Sequence, residues 1–150
     1  MFTFSDATAA VLAAAGWHPG RSIITLYYRL SLWLAGYPWL LAVEQFLREY
    51  GGLRLTFPSK SARTDTLHLN PNQAAAGRDA CWIRENYARR LGNHLLCPIG
   101  EAYTDHLILF MDDAGKVYGG YDEFLCFIAD SGAAALEAIC QGQPMPEIPE

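Results

Sequence analysis

Up to Tyr50 the apolar residues recur at helical spacing, and from Leu53 onward the chain turns to alternation and short apolar runs. The first stretch predicts three helices. Ser5 can cap a helix over residues 6–15, with Asp6 well placed against its positive end and Gly16 able to close it in the left-handed conformation. A second helix is expected at about residues 24–35. The third, over residues 38–50, sets Leu40, Val43, Leu47 and Tyr50 on one face, which must meet a core.

Residues 53–57 and 66–69 alternate, so each reads as a strand with one wet face. They can pair as a hairpin across a polar loop carrying Lys60 and Arg63. Asn70-Pro71-Asn72 breaks the chain, after which Ala80, Ile83, Tyr87 and Leu91 mark the buried face of a helix ending at Gly92. Arg84 and Arg89 fall on its solvated side. Residues 107–111 and 124–128 are continuously apolar, which predicts burial on both faces and a central place in a sheet. Asp112, Asp113, Ala114, Gly115 and Lys116 supply a hairpin turn into a short strand ending at Tyr118. Asp130 or Ser131 can cap a last helix whose Leu136, Ile139 and Cys140 point inward, with Gly142 beyond its end. Residues 143–150, with three prolines and no core residue, are expected to be loose. No repeat or composition break divides the chain. The expectation is one α+β domain over residues 1–142, with a mostly antiparallel or mixed central sheet flanked by helices.

Composition narrows the function classes. With 150 residues and 51% hydrophobic content, the chain can bury about two-thirds of its unfolded surface without disulfides. A net charge of −5 argues against a binder of phosphate backbones and suits a basic protein partner. Cys81, Cys97, Cys126 and Cys140 are widely spaced, and three of them sit in apolar contexts, so buried thiols are expected. His94 and Cys97 form the one close His/Cys pair, short of the four ligands of a structural zinc site. Asp112-Asp113 is not a calcium loop, because Ala114 stands where a ligand oxygen is needed. Neither metal nor cofactor is expected.

Two segments imitate membrane signals. Residues 7–15 are as apolar as the core of a signal peptide, but no Lys or Arg precedes Arg21, so a cytoplasmic place is expected. Residues 23–43 are long enough to span a bilayer, yet Arg29 and Gly36-Tyr37-Pro38 interrupt them, and two packed helices fit better. Trp33, Tyr37 and Trp39 would nonetheless suit an interface.

Catalysis finds little support. The chain has no Gly-rich phosphate loop, no GxSxG and no HExxH, and His18, His68, His94 and His106 are scattered. Cys97 with His106 and Asp105 is a combination that a nucleophilic site could draw on. Cys97 precedes Pro98 in an apolar run, however, which reads as a buried strand end rather than an activated thiolate. A binding module is the expectation.

The segment Ala15-Gly16-Trp17-His18-Pro19-Gly20-Arg21 is the most specific in the chain. Pro19-Gly20 suits the centre of a type II turn, Trp17 can plug a core edge, and Arg21 can hydrogen-bond backbone carbonyls or a carboxylate. Phe46-Leu47-Arg48-Glu49-Tyr50-Gly51-Gly52-Leu53 follows, then Leu96-Cys97-Pro98-Ile99-Gly100-Glu101, then Asp113-Ala114-Gly115-Lys116-Val117-Tyr118. In this order, over about residues 5–142, these motifs resemble the SUKH-3 group of the SMI1/KNR4-like superfamily of bacterial immunity proteins. Residues 59–78 match no pattern of that group.

The resemblance implies an α+β fold of that type and a protein that binds a cognate polymorphic toxin of the same bacterium, stoichiometrically and without catalysis. Many such toxins are nucleases or other nucleic-acid-modifying enzymes with basic grooves, toward which an acidic inhibitor gains association rate. Gly16, Trp17, Pro19, Gly20, Arg21, Gly51, Gly52, Pro98 and Gly100 would then be structural signature residues. Glu101, Tyr103 and Asp105, with Asp112, Asp113, Tyr121, Asp122 and Glu123 in the later turns, mix carboxylates with aromatics and are the candidate partner contacts. Two other readings stand beside this one. One is a general interaction or regulatory module of the same superfamily; the other is a small-molecule or lipid binder using the aromatics of residues 27–39.

Overall fold

Ser5 Oγ accepts the amide of Thr8 at 3.3 Å and Gly16 turns left-handed at φ 106°, so the first helix starts and stops on its own side-chain signals. The computed structural model describes residues 2–59, 61, 63–92, 94–103 and 106–150. Within them the order is α1 (Asp6–Ala15), α2 (Leu26–Leu34), α3 (Leu41–Tyr50), β1 (Arg54–Pro58), β2 (Thr64–His68), α4 (Pro71–Ala75), α5 (Ala80–Ile83), β3 (Leu96–Ala102), β4 (Leu107–Asp112), β5 (Val117–Tyr121), β6 (Phe124–Ala129) and α6 (Gly132–Cys140). The fold is a single α+β domain.

The six strands pair in chain order and antiparallel throughout, as an open meander. β1 and β2 form the expected hairpin, Arg54 opposite His68 and Leu55 opposite Leu67. Side chains alternate across β4, and both of its faces are covered. Phe110 packs edge-on against Tyr87, 5.6 Å between ring centres, from the segment that continues α5. Met111, on the other face, reaches the junction where Phe46 of α3 meets Gly132 of α6. Gly120 makes the first of these contacts possible: a Cβ there would lie 2.7 Å from the Tyr87 ring.

The structure departs from the sequence reading at four points. β6 is not central but the last strand of the sheet. α6 packs against it, and Leu125, Cys126, Ile128 and Ala129 are buried. Residues 143–150, expected to be loose, lie along the outer edge of β6, where Phe127 N donates to Pro146 O (2.9 Å) and Ile148 N to Leu125 O (2.7 Å). Asn70-Pro71 does not merely break the chain; the Asn70 carboxamide accepts from Asn72 N and Gln73 N and starts α4, with Pro71 at its first position. The helix read from residue 80 to Gly92 carries a π-helical turn over Arg84–Ala88, which places Tyr87 and Ala88 together on the buried side. No described helix is long and apolar enough to cross a membrane.

Candidate functional site

The glycine-rich corner turns its chemistry inward. Arg21 N closes the Pro19-Gly20 turn on His18 O at 3.1 Å, with Gly20 at φ 80°. The Arg21 guanidinium then donates to the carbonyls of Glu49 and Gly51, the latter at 2.9 Å. These carbonyls sit at the negative end of α3, where a cation is favoured. Trp17 stacks on Tyr50, 6.3 Å between centres and 13° between planes, and its indole N–H donates to Glu49 at 3.0 Å. Gly51 is needed for close approach, since a Cβ would lie 2.5 Å from Leu47 O. Gly52 follows at φ 82°. Pro98 and Gly100 flank a register shift in β3, and Gly100 lies directly against the His68 carbonyl.

The candidate contact residues divide between the two ends of the sheet. In an antiparallel meander, alternate turns share an end, so the β3–β4 and β5–β6 connections lie together and the β4–β5 turn lies opposite. Tyr103, Tyr121, Asp122 and Glu123 therefore belong to one end. Asp112 and Asp113 belong to the other, about 20 Å away along the six residues of β4. Asp105 lies outside the described residues.

Burial separates them further. Asp112 is only 1% exposed; its carboxylate accepts from Ala114 N and Lys116 N, each at 2.9 Å, and from Tyr118 Oη at 3.3 Å. It ties the β4–β5 hairpin from within. Tyr118 is pushed up to about 12, by burial first and the Asp112 charge second. Glu101 is likewise buried, in register with His68. Asp113 is exposed and lies 3.4 Å from His94 Nδ1. His94, Asp112 and Asp113 bring ligand atoms within 4.8 Å of one another, the one such metal-compatible group among the described residues. Both oxygens of Asp112 are already committed to the hairpin.

At the opposite end a surface is built outward. Tyr121 is half exposed and stacks on Phe124 at 4.9 Å. Asp122 takes φ 48°, a left-handed conformation that aspartate tolerates better than most residues, and its carbonyl accepts the Tyr87 hydroxyl. The Glu123 carbonyl accepts Arg90 Nη1 at 2.8 Å, and Glu123 is exposed. Beside this turn lies a pocket of about 220 Å³ whose walls include Arg78, Asp79, Trp82, Tyr87 and Tyr121. Burial and the neighbouring Asp122 push Tyr87 up to about 12, so its hydroxyl stays a donor. Trp82 went unread in the sequence; the signal was a tryptophan one position off the buried face of its helix. Tyr103, at φ 55°, is half-buried with its hydroxyl 3.9 Å from Met145 Sδ.

Cys97 and His106 are not brought together. Cys97 pairs with Met111 at the start of β3, while His106 follows its far end. Burial pushes the Cys97 thiol up to about 12, far from an activated thiolate.

A family model described as SUKH-3 immunity protein matches residues 4–142. No curated protein and no solved structure matches the chain.

Proposed function

From the premise that this chain belongs to the SUKH-3 immunity protein family, a family of toxin immunity, we propose that it neutralises one cognate toxin by binding it one-to-one and covering its working surface. The partner is a protein, met in the cytoplasm, and the mechanism is non-catalytic. The contact is centred on the sheet end that carries Tyr121, Asp122 and Glu123, with Trp82 alongside.

One observation carries this choice of surface: the β5–β6 turn holds a half-exposed aromatic and two carboxylates in a fixed shape beside an open pocket. A left-handed Asp122 pinned by Tyr87 loses little entropy on binding. Aromatic anchors next to charges are what protein interfaces use most. The net charge of −5 would speed encounter with a basic toxin groove.

The test is calorimetric titration of the purified protein into the toxin domain encoded beside it. Tyr121→Ala and Glu123→Lys should each weaken binding at least tenfold, a loss of about 1.4 kcal/mol or more. Asp113→Lys, at the far end of the sheet, serves as the control and should bind as the wild type. Full affinity in both turn variants would move the contact elsewhere, and absence of any complex with a folded toxin would remove the neutralisation reading.

A further inference from the structure

Helix α2 leaves an apolar face uncovered. Leu26, Tyr27, Leu30, Trp33 and Leu34 are each between 52% and 78% exposed, while Leu32 on the opposite side is fully buried. At 100° per residue the five lie within an arc of about 120° centred on Leu30. Together they present on the order of 700 Å² of apolar surface, above the usual patch on a monomer and close to one partner's share of a standard interface.

The order of residues on this face is symmetric. Reading outward from Leu30 in both directions gives an aromatic (Tyr27, Trp33) and then a leucine (Leu26, Leu34). We propose that α2 is the interface of a two-fold homodimer, with two copies of the helix crossing antiparallel at Leu30. The occupant of the face is a second copy of this chain. A two-fold axis at Leu30 sets each Tyr27 against the second copy's Trp33 and each Leu26 against its Leu34, so aromatic meets aromatic and leucine meets leucine. Arg29, the single charged residue of α2, lies about 100° round the helix from Leu30, at the flank of the apolar face rather than within it.

The same composition argues against a lipid surface. Helices that lie on membranes carry several Lys or Arg on their polar face, and α2 has only Arg29. The interface also goes beyond the toxin reading, since α2 contributes nothing to the β5–β6 turn or its pocket.

Sedimentation equilibrium of the full chain at tens of micromolar tests the proposal. The wild type is expected at twice 16.6 kDa and Leu30→Glu at 16.6 kDa with an unchanged circular-dichroism spectrum. Should Leu30→Glu misfold, cysteine trapping decides instead. In a Cys81→Ser background, Leu30→Cys sits on the axis and should cross-link on mild oxidation. Leu34→Cys lies about 6 Å along the helix, hence about 12 Å from its mate, and should not. A monomeric wild type, a dimer that survives Leu30→Glu, or equal cross-linking at both positions overturns the dimer. Co-sedimentation of a monomeric wild type with phosphatidylglycerol vesicles, or loss of toxin binding by Leu30→Glu from a monomeric wild type, overturns it in favour of the membrane or the toxin. Full toxin binding by a monomeric Leu30→Glu variant, with the wild type dimeric, upholds both readings separately.

Discussion

Asp112→Ala removes a carboxylate that holds three donors at once. Two are amides of the β4–β5 turn and the third is the hydroxyl of Tyr118 on the strand that follows. Hydrogen bonds to a charged acceptor contribute about 1.5–3 kcal/mol each. Both amides lie in a part-buried turn where water can partly replace the lost oxygen, so the low end applies. The sum is about 3–5 kcal/mol, a large share of the roughly 5–15 kcal/mol that stabilises a domain of this size. At about 2–4 °C per kcal/mol the melting temperature should fall by about 6–20 °C. Asp112→Asn keeps one acceptor oxygen and should lose about half as much.

Thermal and urea unfolding measure the stability loss, and calorimetry at a temperature where both proteins are folded measures toxin affinity. Stability should drop while affinity stays at the wild-type value, because Asp112 is buried at the end of the sheet away from the proposed contact. A melting shift below about 2 °C would show that the turn does not depend on this carboxylate. A drop in affinity of the folded variant would return Asp112 to the binding surface.

Other perturbations test the packing and the protonation states. Gly132→Ala places a Cβ 2.1 Å from the Phe46 ring and 3.1 Å from Met111 Cε, so it should cost about 1–3 kcal/mol despite alanine's preference for helices; an unchanged melting temperature would refute the tight junction. For Glu137, burial raises the carboxyl but is outweighed by hydrogen bonds from the Thr8 hydroxyl and from Ser5 N and Oγ, so it titrates below its ordinary value. Its contribution is thus present above the ordinary carboxylate range and lost as pH falls through the lower folded value, and Glu137→Gln should flatten the acid limb of a melting-temperature profile. Tyr37, Tyr87, Tyr103 and Tyr118 are all pushed up to about 12, chiefly by burial, whereas unfolded tyrosine titrates near 10. Stability should therefore hold up to about pH 10 and fall as pH rises toward 12, in step with phenolate absorbance. A disulfide-exchange reagent should find one accessible thiol, Cys81, in the native protein and four after denaturation; early reaction at Cys97 or Cys140, both pushed up to about 12 by burial, would contradict the core as described.

Much of the fold was legible because its signals are local. Ser5, Gly16, Pro19-Gly20 and Ser131 act on backbone within a few residues, and each does what its type and position predict. The readings that failed depend on distant chain. The apolar run of β6 reads as a central strand because nothing in it distinguishes an edge met by another full strand from one met only by residues 146–148. The π-helical turn at Arg84–Ala88 follows from the need to seat Tyr87 against Gly120 and Phe110, a pairing across more than twenty residues that helical periodicity does not record.

The same division governs the candidate site. Asp112 and Asp122 each stand where an apolar strand gives way to a turn, so composition gives them one label. Asp112 points its carboxylate back at its own turn and is sealed. Asp122 is held instead by its carbonyl, through Tyr87, which leaves its carboxylate at the surface in a backbone conformation that costs energy to maintain. A hairpin can close over a turn residue without such strain, as the β4–β5 turn does by using Gly115 at φ 88°. Retaining aspartate rather than glycine in the strained place at the β5–β6 turn makes sense where its side chain has work to do outside the domain. Asp122→Gly separates the two roles: it should relieve the backbone and leave stability equal or higher while weakening the toxin complex. Toxin affinity equal to wild type would reduce Asp122 to a turn residue and shift the weight of the contact to Tyr121 and Glu123.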